Sequence, residues 1–297
     1  MRFEQAIQSK VIICDGAMGT ELQKRGLGKG VTPDSWNITN PDQVNDVHKS
    51  YVQAGASAIL TNTFGANSAR IGKESKYTVR ELNLAGANIA RECAGHDVLV
   101  FGDMGPTGWE DQLPPYGTLS EETFFEVFKE QAKALAESEI DAIIIETMSS
   151  LAEAVIALKA VKENTSLPII CSMTFARPPA SRPDDLRTLW GDALPDIIET
   201  LTKEGANVLG SNCGDLFSEI PALAKTMREL TSLPLIFEVN AGLPRVDENY
   251  KTIYSLAPDV FARIIMQAVD YGANIVGGCC GTNPEHISAI KNRLDKR

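Results

Sequence analysis

Eight short apolar runs, each ending in polar or glycine residues, recur along this chain with helix-like segments between them. They are Val11–Cys14, Ala58–Thr61, Val98–Phe101, Ala142–Ile145, Pro168–Ser172, Asn207–Gly210, Pro234–Phe237 and Asn274–Val276. In the intervening segments, apolar stripes follow the spacing of one helix face. Examples are Val44, Val47, Tyr51 and Val52; Phe124, Phe125, Phe128 and Ala132; and Ala154, Ala157, Leu158 and Val161. Gly55-Ala56, Gly205-Ala206 and Gly272-Ala273 stand just before strands, where glycine suits the left-handed turn that closes a helix. Eight strands alternating with helices predict an α/β fold, a (β/α)8 TIM barrel. An open doubly wound sheet is the alternative, but no GxGxxG turn supports it. No linker or low-complexity segment appears, so residues 1–297 are expected to form a single domain. The proline-rich stretch Arg177–Pro183 after the fifth strand is expected to be a long surface loop.

Charge and composition remove several function classes. The formal net charge is −11 and no lysine or arginine cluster interrupts it, so no nucleic-acid partner is expected. No apolar run approaches the roughly 18 residues of a spanning helix, so no membrane partner is expected either. Met1-Arg2-Phe3-Glu4-Gln5 carries a carboxylate where a signal peptide would build its apolar stretch. A cytoplasmic, reducing setting is therefore expected, in which the six cysteines serve as thiols and ligands rather than disulfides.

In a barrel of this kind, chemistry gathers at the C-terminal ends of the strands. The uncommon polar residues fall there: Asp15 after the first run, Asn62 after the second, Asp103 after the third and Glu146-Thr147 after the fourth. Asn212-Cys213 follows the sixth, Glu238 and Asn240 the seventh, and Cys279-Cys280 the eighth. Cys279 and Cys280 are adjacent, bracketed by glycines, and suited to point at one soft metal. With Cys213 they make three thiolates, and three thiolates on one zinc leave a fourth position open for chemistry. Such a site is already negative and would acidify a bound water poorly, which argues against a hydrolase. A fourth thiolate suits it better.

Asp15-Gly-Ala-Met-Gly-Thr20, Asn62-Thr-Phe-Gly-Ala-Asn67, Gly102-Asp-Met-Gly-Pro-Thr-Gly108, Asn212-Cys213, Asn240-Ala-Gly242 and Gly277-Gly-Cys-Cys-Gly-Thr282 with Pro284-Glu-His286 resemble the zinc-dependent homocysteine S-methyltransferase family. The likeness spans nearly the whole chain and is greatest to the homocysteine-binding module of cobalamin-dependent methionine synthase. The resemblance implies Zn2+ on Cys213, Cys279 and Cys280, and methyl transfer to the homocysteine thiolate, giving methionine. It places Asp15 and Glu146 on the substrate ammonium. The backbone N–H groups of Gly16, Ala17 and Met18 could cradle the substrate carboxylate. Asn240 is expected behind the metal, or as a stand-in fourth ligand when homocysteine is absent.

The same resemblance implies methylcobalamin or another methyl-corrinoid as donor. No folate or corrinoid module is read in these residues, so a separate corrinoid protein or other methionine synthase modules are expected partners. A stand-alone enzyme using S-methylmethionine or betaine is the alternative, although such cations favour aromatic cages and only 6% of the residues are aromatic. A zinc- and thiol-binding subunit without activity of its own is a third reading.

The remaining candidates read more simply. Cys14, Cys93 and Cys171 are expected to be packing residues. Asp103 and Glu238 fit either a structural pair or the site. Asn283-Pro284-Glu285 reads as a helix start, which makes His286 a first-turn residue. His48 is expected on a surface helix and His96 in a loop. Trp109, Tyr116 and Trp190 are expected to anchor top loops or to form a surface that receives the methyl donor.

Overall fold

All eight apolar runs contain strands. The computed structural model describes residues 3–73, 75–176, 186–214, 217–246 and 252–297. The strands are β1 (Ile12–Ile13), β2 (Ala58–Leu60), β3 (Leu99–Met104), β4 (Ala142–Met148), β5 (Ile169–Met173), β6 (Val208–Asn212), β7 (Leu235–Val239) and β8 (Ile275–Gly278). They pair in parallel in the order β1-β8-β7-β6-β5-β4-β3-β2. The two ends of that order meet where the Ser57 N–H donates to the Ile13 carbonyl at 2.7 Å and the Ile13 N–H donates to Ser57 Oγ at 3.0 Å. This is the (β/α)8 barrel expected from the alternation.

A helix follows every strand on the outside: Pro41–Gln53, Val79–Ala94, Glu121–Ala136, Leu151–Asn164, Leu194–Glu204, Ile220–Leu230, Pro258–Asp270 and Pro284–Leu294. Their starts are chemically marked. Thr78 and Glu81 form a capping box, and Ser120 and Ser150 accept from the third residue of their helices. Gly55, Gly205 and Gly272 take φ values of +104°, +107° and +94° at the helix ends, as their positions predicted.

Two-residue alternation explains what faces the barrel axis. Leu99 and Phe101 of β3, Ala142 and Ile144 of β4, Ile170 of β5, Val208 of β6 and Ile236 of β7 form an inner apolar cluster. Val100, Ile143, Ile145, Leu209 and Phe237 face the helices instead. Continuing the same step upward brings Asp103, Glu146, Ser172, Asn212 and Glu238 onto the inner side. The lower end is filled by the helix Phe3–Ser9, whose Phe3, Ala6 and Ile7 join that cluster. Phe3 meets Phe101 edge to face at 5.6 Å. Each such buried aromatic or aliphatic side chain contributes about 1.5–3 kcal/mol.

One difference from the sequence reading concerns where the strands end. Several strands run further than expected, so Asp103, Glu146 and Glu238 are strand residues rather than loop residues. The ladder tolerates them because alternation turns their side chains into the barrel mouth. His48, on the expected surface helix, is fully buried on the same face as Val44, Val47 and Tyr51. It falls on the apolar stripe, at the helical spacing from Val44 and Tyr51.

Short hairpins pair Phe175–Ala176 with Arg187–Thr188 and Arg245–Val246 with Thr252–Ile253. The stretch Arg177–Pro183 lies outside the described residues. Among the described residues no helix is long and apolar enough to cross a membrane.

Candidate active site

The C-terminal ends of the strands surround a cavity of about 590 Å³, within the range of small-molecule sites. Asp15, Gly16, Ala17, Met18, Glu146, Cys213, Cys279 and Cys280 all line it. Asn240 lies beside Cys213: its Nδ2 donates to the Gly214 carbonyl at 2.8 Å and to Cys213 Sγ at 3.7 Å. Among the described residues its buried Oδ1 has no partner.

The three cysteine sulfurs lie within 4.8 Å of one another. Tetrahedral zinc, with Zn–S bonds of about 2.3 Å, sets its sulfurs about 3.8 Å apart, so the trio fits that ion with little movement. Local backbone geometry makes this possible. Cys213 follows the last residue of β6 with φ +57°, a left-handed conformation costly for a residue with a side chain. Its N–H donates to the Glu238 carbonyl at 3.1 Å, while the Cys279 N–H donates to the Val239 carbonyl at 2.8 Å. Both cysteines are thus bonded to β7, which lies between their strands. The thiols of Cys279 and Cys280 hydrogen-bond to Cys213, which pushes Cys213 far below an ordinary thiol and Cys279 well above it.

Asn212 joins the thiols to the carboxylates. Its Nδ2 donates to Glu146 Oε2 and to Thr147 Oγ1, both at 2.7 Å. Its Oδ1 accepts from the Thr147 N–H at 2.8 Å and from Ser172 Oγ at 2.7 Å. Thr147 is the other non-glycine residue of positive φ among the described residues, at +56°, where the β4–β5 register slips between Ile145 and Met148. The slip lets one residue bond across to β6 while Glu146 faces the cavity.

The cavity is strongly acidic. Burial, with Glu146 adding to it, pushes Asp15 well above an ordinary carboxyl, against the Leu60 N–H that Asp15 accepts at 3.1 Å. Glu146 is pushed up to about 7 by burial and by the negative charge at Cys213. Asp103 and Glu238 rise through burial and mutual repulsion with Glu146 and Asp15, and each keeps one buried oxygen without a partner among the described residues. Glu238 also accepts from the Cys14 thiol. Asp34 is pushed up to about 6 by burial, tempered by the Gly65 N–H and by Arg70. Among the described lining residues Arg70 is the one basic side chain. Such a pocket favours a cationic group.

The other sequence candidates fall into place. Cys14 and Cys171 are buried in the core and Cys93 packs against it. His286 is the first-turn residue expected; it bonds Asn283 and the Leu256 carbonyl, not the cysteines. Trp109 stands edge to face on Phe124, and Tyr116 packs on Trp190; none of the three lines the cavity. Sequence reading assigned no role to Thr147 or Asn212, and it did not single out Thr282 or Tyr254. Thr282 Oγ1 accepts the Ala17 N–H at 3.1 Å, which commits that N–H. Asn212 and Thr282 stand next to or near the cysteines in their motifs, but their hydrogen bonds reach across the barrel. Tyr254 comes from another connection altogether.

Comparison with known proteins agrees with this geometry. The chain is 27% identical over 305 residues to methionine synthase of Mycobacterium leprae, covering 96% of this chain and 24% of that protein. It is 27% identical over 303 residues to methionine synthase of Mycobacterium tuberculosis, with the same coverage. The chain thus spans about a quarter of the length of these curated relatives. The fold superposes on the metallated form of the homocysteine methyltransferase MmuM from Escherichia coli with a TM-score of 0.80, at 24% identity, covering 98% of this chain and 99% of that one. The homocysteine S-methyltransferase family model matches residues 12–294, and the chain belongs to that family of methyltransferases.

Proposed function

We propose that this protein methylates the thiolate of L-homocysteine, giving methionine, at a zinc ion held by Cys213, Cys279 and Cys280. The observation that carries the reading is the convergence of three thiols and two buried carboxyls, Asp15 and Glu146, on one cavity. Bound zinc would hold the substrate sulfur as a thiolate at neutral pH, where a free thiol of pKa about 8.5 is mostly protonated.

The chain's own residues orient the substrate. Asp15 and Glu146 take its ammonium; Glu146 is aimed by Asn212 and Asp15 by the Leu60 N–H. With the Ala17 N–H committed to Thr282, the substrate carboxylate falls to the N–H groups of Gly16 and Met18. The unpartnered Oδ1 of Asn240 supports its reading as the fourth ligand before homocysteine arrives, since its Nδ2 is already occupied.

A methyl-corrinoid, carried by a separate protein or module, is the donor this reading favours. The likeness to methionine synthases supports it. So does the scarcity of aromatic walls: among the described residues Phe64 and Tyr254 are the only aromatic ones lining the cavity, and Arg70 already lies over the Phe64 ring at 5.2 Å. A quaternary ammonium or sulfonium donor would lack the cage it prefers. The test is turnover of the zinc-loaded protein with homocysteine and each donor in turn. Methionine formed from methylcobalamin is expected. Turnover with S-methylmethionine or betaine and none with methylcobalamin would reverse the choice of donor. No turnover with any of them would favour a thiol-binding subunit.

A further inference from the structure

The cavity extends beyond the residues assigned to homocysteine. Its volume of about 590 Å³ is the room of a drug-sized ligand rather than of one small amino acid. A further stretch of its wall comes from the connections after β1 and β2, and holds Asp34, Phe64, Gly65 and Arg70.

Arg70 is fixed there from two sides. Its Nε donates to the Pro106 carbonyl at 2.8 Å, and its guanidinium lies over the Phe64 ring at 5.2 Å. That ring in turn packs on Gly105, where a Cβ would stand 2.5 Å from it. Among the described residues neither terminal nitrogen of Arg70 has a hydrogen-bond or ion-pair partner. Asp34 is 3% exposed, and its Oδ1 accepts the Gly65 N–H at 3.0 Å. A Cβ on Gly65 would stand 2.9 Å from Asp34 Oδ2 and 3.6 Å from Arg70 Cδ, so the two side chains flank this glycine. This part of the wall therefore presents a held guanidinium and a buried carboxylate, close together and not paired with each other. Such an arrangement fits a ligand that carries both charges. An α-amino acid does: its carboxylate matches the planar fork of an arginine, and its ammonium a carboxylate.

We propose that Asp34 and Arg70 form a second amino-acid subsite, with the ligand's carboxylate on Arg70 and its ammonium on Asp34, while homocysteine occupies the inner end. The inference rests on the reading of that inner end as the homocysteine site. Methionine leaving the cavity and an S-methylated amino acid entering it share this chemistry, and a thioether side chain packs well on an aromatic ring such as Phe64.

The experiment uses the zinc-loaded full chain saturated with homocysteine, titrated with L-methionine in a calorimeter. The methionine affinity should not change when the homocysteine concentration is doubled. It should fall about 10-fold in Arg70→Gln, the size of one lost charge-assisted hydrogen bond. A similar fall is expected in Asp34→Asn, whose amide oxygen still accepts the Gly65 N–H. Ligands lacking one charge separate the two contacts. 3-(Methylthio)propylamine, without the carboxylate, should bind wild type and Arg70→Gln alike. 2-Hydroxy-4-(methylthio)butanoate, without the ammonium, should bind wild type and Asp34→Asn alike.

S-Methyl-L-methionine distinguishes donor from product. As a donor, it loses a methyl group to the homocysteine thiolate: the new S–C bond forms as the old one breaks, and the departing sulfur keeps the electron pair, leaving two methionines. Its KM should then rise about 10-fold in Arg70→Gln. Methionine binding without turnover of S-methylmethionine assigns the subsite to the product. Methionine binding that is absent, that weakens as homocysteine is raised, or that Arg70→Gln leaves unchanged overturns the inference alone. A zinc-loaded wild type that binds no homocysteine overturns the functional reading, and this inference with it.

Discussion

At the scale of single residues, the site depends on where hydrogen bonds go as much as on which residues are present. Asn212 uses both amide atoms within the protein and so fixes Glu146 and Thr147 together. Glu146 then has one role left open, toward the cavity. Replacing it with Gln preserves the shape and removes the charge, so zinc content should stay at wild-type level. Homocysteine affinity should fall about 10- to 100-fold, the loss expected for one charge-assisted hydrogen bond. Titration calorimetry on the zinc-loaded protein measures both. Unchanged affinity would remove Glu146 from the ammonium site. The cysteines were legible in the sequence because thiols between glycines at strand ends have few structural uses. Asn212 was not, because an asparagine's role depends on partners 65 and 66 residues away in the chain. The left-handed backbone at Cys213 and Thr147 was equally hidden, since glycine is the residue that normally announces it.

At the scale of elements, the strands were readable from their apolar centres and misread at their ends. A polar residue looks like the end of a run, yet Asp103 and Glu238 keep their places in the ladder because two-residue alternation turns them inward. On the helix Pro41–Gln53 the apolar stripe of Val44, Val47 and Tyr51 also carries His48, which is fully buried. Among the described residues neither ring nitrogen of His48 has a partner, and burial pushes its pKa down to about 4. The folded protein therefore keeps this ring neutral, while the unfolded chain binds a proton below about pH 6.5. The stability tied to the neutral ring is complete above that value and declines as pH falls toward 4, by on the order of 3 kcal/mol in all. Urea unfolding of wild type and His48→Leu across this range should show the variant gaining on the wild type as pH falls. A constant difference between the two would mean that His48 does not remain neutral in the fold.

At the scale of the whole molecule, the barrel divides its interior into two parts. The lower part is apolar and filled, with the helix Phe3–Ser9 packed into its end, and the upper part is acidic and open. Substrate and methyl donor must therefore meet at the C-terminal rim, where β4, β6 and β8 bring carboxylate, amide and thiols together. The alternation of runs and helices made this architecture legible. The donor was not legible, because the rim's chemistry is suited to the acceptor and its outer surface depends on loops. The central claim is that homocysteine sulfur completes a three-cysteine zinc site. X-ray absorption at the zinc edge of the loaded protein, with and without homocysteine, tests it most directly. The account predicts three sulfur neighbours and one lighter ligand before homocysteine, and four sulfurs after it. A zinc environment that homocysteine leaves unchanged would contradict it.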